Sequence, residues 1–225
     1  MQRRTKIVAT LGPATDDPKT LDKVIEAGVD VVRINLSHGT IDDHLRRVEM
    51  VRDRARAYNR EVGVLADLQG PKIRIECFKN GPVKLVEGDR FALDASLAKD
   101  AGDQTQVGIA YEDLPSDVGR GDTLLLDDGR IVLWVEAVNG SRVECKVVNG
   151  GALSDRKGIN RQGGGLSARA LTDKDREDIK AVAQMRADYM AVSFPRTADD
   201  IQEARRLLRE AGGESDLVAK IERAE

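Results

Sequence analysis

The chain has 225 residues, 40% of them hydrophobic and 33% charged, which excludes staple-dependent miniproteins, disordered polyelectrolytes and greasy membrane-embedded proteins. Its 36 Lys and Arg stand against 39 Asp and Glu, a net charge of -3, so no bulk field attracts nucleic acid or an anionic membrane and any anion site must be local. Two cysteines, Cys77 and Cys145, and two histidines, His38 and His44, cannot assemble a disulfide framework or a Cys/His zinc site, and a reducing cytoplasm is the default compartment.

The N-terminal MQRRTKIVATLGP carries no apolar segment of signal length, and no window approaches the roughly 18 apolar residues of a spanning helix. KIVAT reads as a first strand. Asp17 then caps a helix with Pro18 at its first position, Leu21, Val24 and Ile25 share one face, and Gly28 ends it. VDVVRINL is a second strand. A helix from about Ile41 to Tyr58 places Ile41, Leu45, Val48 and Val51 on one stripe, and VGVLADL is a third strand, apolar enough for burial on both faces.

From about Gly70 to Ala170 the period changes to two. Leu124 and Leu126, then Ile131, Leu133 and Val135, then Val143, Cys145 and Val147 alternate with polar neighbours, and Asp128-Gly129, Asn139-Gly140 and Asn149-Gly150 supply hairpin turns. This predicts an antiparallel β module inserted in an α/β chain, with crossings near Pro71 and Leu171. The strand-helix rhythm then resumes. Thr172 and Asp175 form a capping box before IKAVAQM, YMAVSF is a strand, Thr197 opens a helix that Gly212-Gly213 ends, and LVAKI is the last strand. The domain boundaries predicted are 1–69 plus 170–225 for the α/β part and 70–169 for the insertion.

Parallel α/β barrels gather their chemistry where strands end. The second strand ends through Arg33, Asn35 and Ser37, at the spacing of two that puts side chains on one face of an extended chain. The third ends at Asp67, the fourth at Ser193, and the fifth at Lys220 and Glu222. Structural alternatives stand beside each: Ser37 and Ser193 as helix caps, Asp67 as a turn former, Lys220 and Glu222 as an ion pair. Arg33 inside VVRIN and Lys220 inside VAKI are harder to explain structurally, since a charge in an apolar strand needs a partner or a ligand. His38 sits beside a glycine at a loop start, as a turn residue or a nucleotide contact. Arg156-Lys157-Gly158 is a solvated basic spot, or a phosphate contact if the insertion folds over the strand ends. No Walker-type or dinucleotide glycine fingerprint occurs.

KIVATLGPAT, VDVVRINLSHG, ADLQGPKIR, LDDG, RKGIN, AVSFPR and VAKIE, in this order around an inserted β domain, resemble pyruvate kinase across nearly the whole chain. The resemblance implies a TIM (β/α)8 barrel with an inserted β-barrel lid domain, and phosphoryl transfer between phosphoenolpyruvate and ADP giving pyruvate and ATP in glycolysis. It implies Mg²⁺ and usually K⁺, a cytoplasmic location, a homotetrameric parent enzyme, and neither nucleic-acid nor membrane partners. By matching motifs, Arg33 would contact the transferring phosphate, Ser193 the substrate, and Lys220 would hold charge on the phosphoryl group and enolate oxygen. Glu222 would bind Mg²⁺. Asn35, Leu36, Ser37, His38, Arg74 and Lys157 would border the nucleotide, and Asn35, Ser37 and Asp67 the monovalent cation. Members that require K⁺ have an acidic residue before the Ile-Arg pair; here DLQGPKIR places Lys72 there, which implies the K⁺-independent branch, with the Lys72 ammonium in the ion's electrostatic role.

Setting aside the 100 residues of 70–169 leaves 125, which is about five strand-helix units at roughly 25 residues each, against eight in a closed barrel. The second Mg²⁺ carboxylate of the family, in a GDLG-type motif, is not present. The expectation is therefore an amino-terminal portion, inactive alone. The alternatives are a natural truncated relative that binds nucleotide or phosphoenolpyruvate without catalysis, and a phosphoenolpyruvate lyase barrel, which the inserted domain and RKGIN disfavour.

Overall fold

A computed structural model describes residues 4–71 and 73–222. Lys72 lies outside the described residues. The chain begins with strand β1 (Val8–Leu11), helix α1 (Pro18–Glu26), β2 (Val31–Asn35), α2 (Ile41–Ala57) and β3 (Gly63–Asp67). The central stretch holds β4 (Val83–Leu85), β5 (Arg90–Asp94), β6 (Gln106–Gly108), the short α3 (Leu114–Asp117), β7 (Thr123–Leu126), β8 (Ile131–Asn139), β9 (Arg142–Asn149), β10 (Gly151–Leu153) and β11 (Ile159–Arg161). α4 (Asp173–Met185), β12 (Tyr189–Ser193), α5 (Ala198–Glu210) and β13 (Asp216–Lys220) complete it. The described residues form two compact units, 4–70 with 170–222 and 71–169.

In the first unit, five parallel strands run in the order β1-β2-β3-β12-β13. Alternate residues Val32, Ile34, Val64 and Ala66 share a core with Leu21 and Val51 of the helices. That leaves Arg33 and Asn35 on the opposite face, because side chains alternate along a strand. Helix starts are fixed locally. Asp17 accepts the Thr20 N–H at 3.0 Å, and Thr40 with Asp43 and Thr172 with Asp175 form reciprocal capping boxes. The outermost strands leave Val8 and Val218 partly in solvent.

The predicted apolar stripe of α2 is displaced. Ile41, its first residue, is exposed, and His44 is buried with Val48, Val51 and Ala55. A first-turn residue lies at the rim, so the ring one turn later fills the inner position.

In the second unit, a mixed sheet of order β11-β7-β8-β9-β5-β6 buries Leu124, Leu126, Leu133, Val135, Val143 and Val147, so the period-two face is the core face. It is antiparallel apart from the parallel β5-β6 pair. Asp128-Gly129 and Asn139-Gly140 turn hairpins. Asn149-Gly150 does not: β10, which follows it, pairs with β4 in a separate two-stranded sheet. Gly150 is pressed against the Leu85 backbone there, so the glycine serves a close approach and not a reversal. Isolated bridges from Arg74 to Gly158 and from Ile75 to Ile109 carry one segment across to both edge regions of the six-stranded sheet.

Burial, with Arg47 nearby, holds the His44 pKa below its ordinary 6.5, against the opposing pull of Asp43 and Asp178 and of the His38 backbone. Neither ring nitrogen makes a hydrogen bond of ordinary geometry among the described residues. The unfolded chain therefore takes up this proton first. As pH falls below 6.5, stability should decline by up to about 1.4 kcal/mol per unit until the native ring also protonates. Urea denaturation of His44→Leu should show that slope removed between pH 6.5 and the onset of carboxylate protonation.

Candidate functional site

Asp67, the last residue of β3, is the centre of the arrangement. The strand register sets Asn35 beside it on β2 and Ala191 beside it on β12, while Ser193 is paired with Lys220 one strand further on. Its carboxylate is 3% exposed, so its charge must be matched by partners. Arg33 supplies Nε at 2.7 Å and Nη2 at 2.5 Å to Oδ2. Lys220 supplies Nζ at 3.1 Å to Oδ1 and 3.4 Å to Oδ2. β13 lies two strands, about 10 Å of backbone, from β3. The long lysine side chain spans that gap to the carboxylate that Arg33 also reaches.

The secondary contacts aim these cations. Arg33 Nη1 donates to Thr10 Oγ1 at 3.2 Å, from the residue paired with it on β1. Lys220 Nζ donates to Ser193 Oγ at 2.9 Å, and that hydroxyl donates to the Leu68 carbonyl at 2.7 Å. Glu222 Oε1 lies 3.6 Å from Lys220 Nζ, and its Oε2 accepts the Phe194 N–H at 3.2 Å. Phe194 has φ 56, a left-handed conformation that is costly for an aromatic residue and that the packing around it must sustain. Both cations keep about 30% of their side chains in solvent, so neither is sealed in the core with Asp67.

The structural alternatives for the serines do not describe these side chains. Thr40 caps α2 and Thr197 stands at the N-cap of α5; Ser193 is buried against Lys220 and Leu68. Asp67 forms ion pairs and not a turn. The predicted extended face reaches Asn35 and stops. Ser37 lies in the turn beyond β2, donating its N–H to Asn35 Oδ1 at 3.1 Å. His38 is exposed, with Nδ1 3.5 Å from Asn35 Nδ2. The Leu36 side chain is 2% exposed within the core, and its carbonyl accepts Lys174 Nζ at 2.8 Å, so no side-chain contact with a ligand is open to it.

Lys157 and Arg74 belong to the second unit. Lys157 Nζ pairs with Asp127 Oδ1 at 2.8 Å, and Arg74, exposed, bridges Gly158 through its backbone. Asp127 and Asp128 both have positive φ in the tight β7-β8 turn. Reading by residue missed Thr10, Lys174 and the pairing of Asp127. Thr10 is one polar residue in an apolar strand, a signal that register alone makes readable.

The fold and these contacts define an α/β protein whose parallel strands end in a carboxylate-braced pair of cations, an arrangement suited to anionic groups. The family model described as "Pyruvate kinase, barrel domain" matches residues 2–225. Pyruvate kinase II of Salmonella typhimurium is 56% identical over 223 residues, 99% of this chain and 46% of that protein. Pyruvate kinase of Haemophilus influenzae is 53% identical over 99% of this chain and 47% of its own length, and that of Mycobacterium tuberculosis 41% over 100% and 47%. The chain belongs to the pyruvate kinase family. It spans about half the length of these relatives.

Asp67→Asn should destabilise the parallel-sheet unit by about 2–3 kcal/mol, below the roughly 3–5 of a fully buried broken pair because Arg33 and Lys220 are each partly solvated. Chemical denaturation at neutral pH measures it; a change within about 0.5 kcal/mol would mean that the carboxylate is not holding two charges.

Proposed function

We propose that the protein acts as a pyruvate kinase, moving the phosphoryl group of phosphoenolpyruvate to ADP to give pyruvate and ATP. The observation that carries this is the convergence of Arg33 and Lys220, from strands three positions apart in the sheet, on one buried carboxylate. Phosphoryl transfer asks the protein mainly for positioning and charge neutralisation, and two preorganised cations meet both needs. Arg33 holds the transferring phosphate. Lys220, oriented by Ser193, balances charge on the phosphoryl oxygens and on the enolate oxygen released when the phosphorus–oxygen bond breaks. The new bond forms to a terminal phosphate oxygen of ADP, and the enol carbon then takes a proton. Asn35, Ser37, His38, Arg74 and Lys157 are the candidate contacts of the nucleotide.

Glu222 is the candidate Mg²⁺ ligand. Mg²⁺ takes one or two carboxylates and fills its octahedron with phosphate oxygens and water, so a single partly exposed carboxylate beside the phosphate-binding cations fits that ion. When bound, the metal would neutralise phosphate charge and orient the transferring group. A monovalent cation on Asn35, Ser37 and Asp67 would have to share oxygens that already accept hydrogen bonds. Both Asp67 oxygens face cationic nitrogens, and Asn35 Oδ1 accepts from Ser37. That supports independence from K⁺.

The same reading takes the five strands as the first part of a TIM (β/α)8 barrel, whose edges β1 and β13 further strands would pair, and the β unit of 71–169 as a lid. The partly exposed Val8 and Val218 on the edge strands support it. A cytoplasmic, homotetrameric glycolytic enzyme is the corresponding setting, and the 225 residues alone should turn over negligibly. A chimera tests the reading: this chain replaces the 223 matching residues of the Haemophilus influenzae relative. The chimera should form pyruvate from phosphoenolpyruvate and ADP with Mg²⁺, without K⁺, and Lys220→Met should lower kcat by about a thousandfold. A folded chimera that binds phosphoenolpyruvate without turnover would favour the non-catalytic alternative.

A further inference from the structure

We propose that Asp175 is a positioning residue, a buried staple that holds both points where the chain leaves and re-enters the parallel-sheet unit and thereby seats Lys220. Its role in turnover rests on the pyruvate kinase reading; the staple itself does not.

Asp175 is 0% exposed and lies 105 residues from Gly70 in sequence. Its Oδ1 accepts the Gly70 N–H at 3.0 Å, on the last residue before the chain passes into the β unit. Its Oδ2 accepts both the N–H of Thr172 at 2.9 Å and its hydroxyl at 2.6 Å, two residues after the chain returns at Ala170. A helix cap needs only the second set. The first is a separate commitment of the same carboxylate, and it fixes a segment that reaches the cations.

Gly70 has φ +67 and is packed so closely that a β-carbon there would lie 2.8 Å from Ser193 Cβ and 3.2 Å from the Phe194 ring. Ser193 Oγ bonds Lys220 Nζ on one side and the Leu68 carbonyl on the other. The Leu68 N–H in turn donates to the Ala191 carbonyl at 3.0 Å. Residues 68–70 are thus the wall against which Ser193 and Phe194 stand, and Asp175 pins that wall at its far end. Ser193 orients Lys220, and the Phe194 N–H holds Glu222. A loss at Asp175 therefore reaches the lysine through Gly70 and Ser193, with no direct contact.

The test uses the 225-residue chain. Amide hydrogen exchange is read at Gly70 and Thr172, and the ε-carbon resonance of Lys220 is followed by NMR in Asp175→Asn and Thr172→Ala. An amide in place of this carboxylate cannot accept from both sides, so in Asp175→Asn exchange at Gly70 should rise about tenfold or more and the Lys220 resonance should move. Thr172→Ala should speed exchange in the first turn of α4 and leave Gly70 and Lys220 unchanged. If Asp175→Asn leaves Lys220 unmoved, or Thr172→Ala moves it equally, Asp175 is only a helix cap and the proposal is overturned. Should Asp175→Asn fail to fold, Gly70→Ala keeps both carboxylate and cap while pushing on Ser193, and an unmoved Lys220 resonance there overturns it as well. None of these readouts needs substrate, so a chain that never bound phosphoenolpyruvate would count against the functional reading alone.

Discussion

A carboxylate with 3% exposure cannot keep its charge without partners, and Asp67 obtains them from two strands that are not its own. That requirement orders the rest of the site. It draws the Arg33 guanidinium across from β2 and the Lys220 ammonium across from β13, and it commits their inner donors while leaving about 30% of each side chain toward solvent. Two cations held close together would otherwise repel each other. The shared anion offsets that repulsion with no ligand present, so the fold itself holds the two cations in place.

The support beneath these side chains lies in the first turn of α4. Lys174 holds the Leu36 carbonyl, at the exit of β2, while Asp175 holds Gly70, beyond the exit of β3. One helix start thus fixes the loops that follow two neighbouring strands. The turn from Asn35 to Gly39 is backed from the other side by the buried His44 ring, whose Cε1 a β-carbon on Gly39 would approach to 3.3 Å. Rigid elements carry the chemistry, and the loops between them are tied at their roots, which is the arrangement that lets charged side chains keep a fixed aim.

Much of this was legible in the order of residues. Strand-helix alternation, the Asp17 cap, the Thr172–Asp175 capping box and the period-two centre follow from local patterns, and local patterns are what a single sequence displays. Arg33 and Lys220 stood out because a charge inside an apolar strand demands an explanation, and the structure supplies Asp67 as the partner of both. What was not legible depends on distance and register. Ser37 looks like a continuation of the Arg33–Asn35 face until the strand is seen to end. Asn149-Gly150 has hairpin chemistry but stands where a strand changes sheets. Ile41, expected on the apolar stripe of α2, is exposed, and His44 is buried in the same helix. The bond from Gly70 to Asp175 joins residues 105 apart, and no spacing rule reaches that far. Lys72, on which the reading of K⁺ independence partly rests, lies outside the described residues.

The central claim is that the Asp67-braced pair is a preorganised phosphate site. Titration of phosphoenolpyruvate into the protein, followed by ³¹P NMR, tests it most directly when run in parallel on Arg33→Met and Lys220→Met. The account predicts a saturable shift of the phosphate resonance that is lost in Arg33→Met and weakened by about tenfold or more in Lys220→Met, since a hydrogen bond to a charged group is worth roughly that factor. Titrations that superimpose for all three proteins would contradict it.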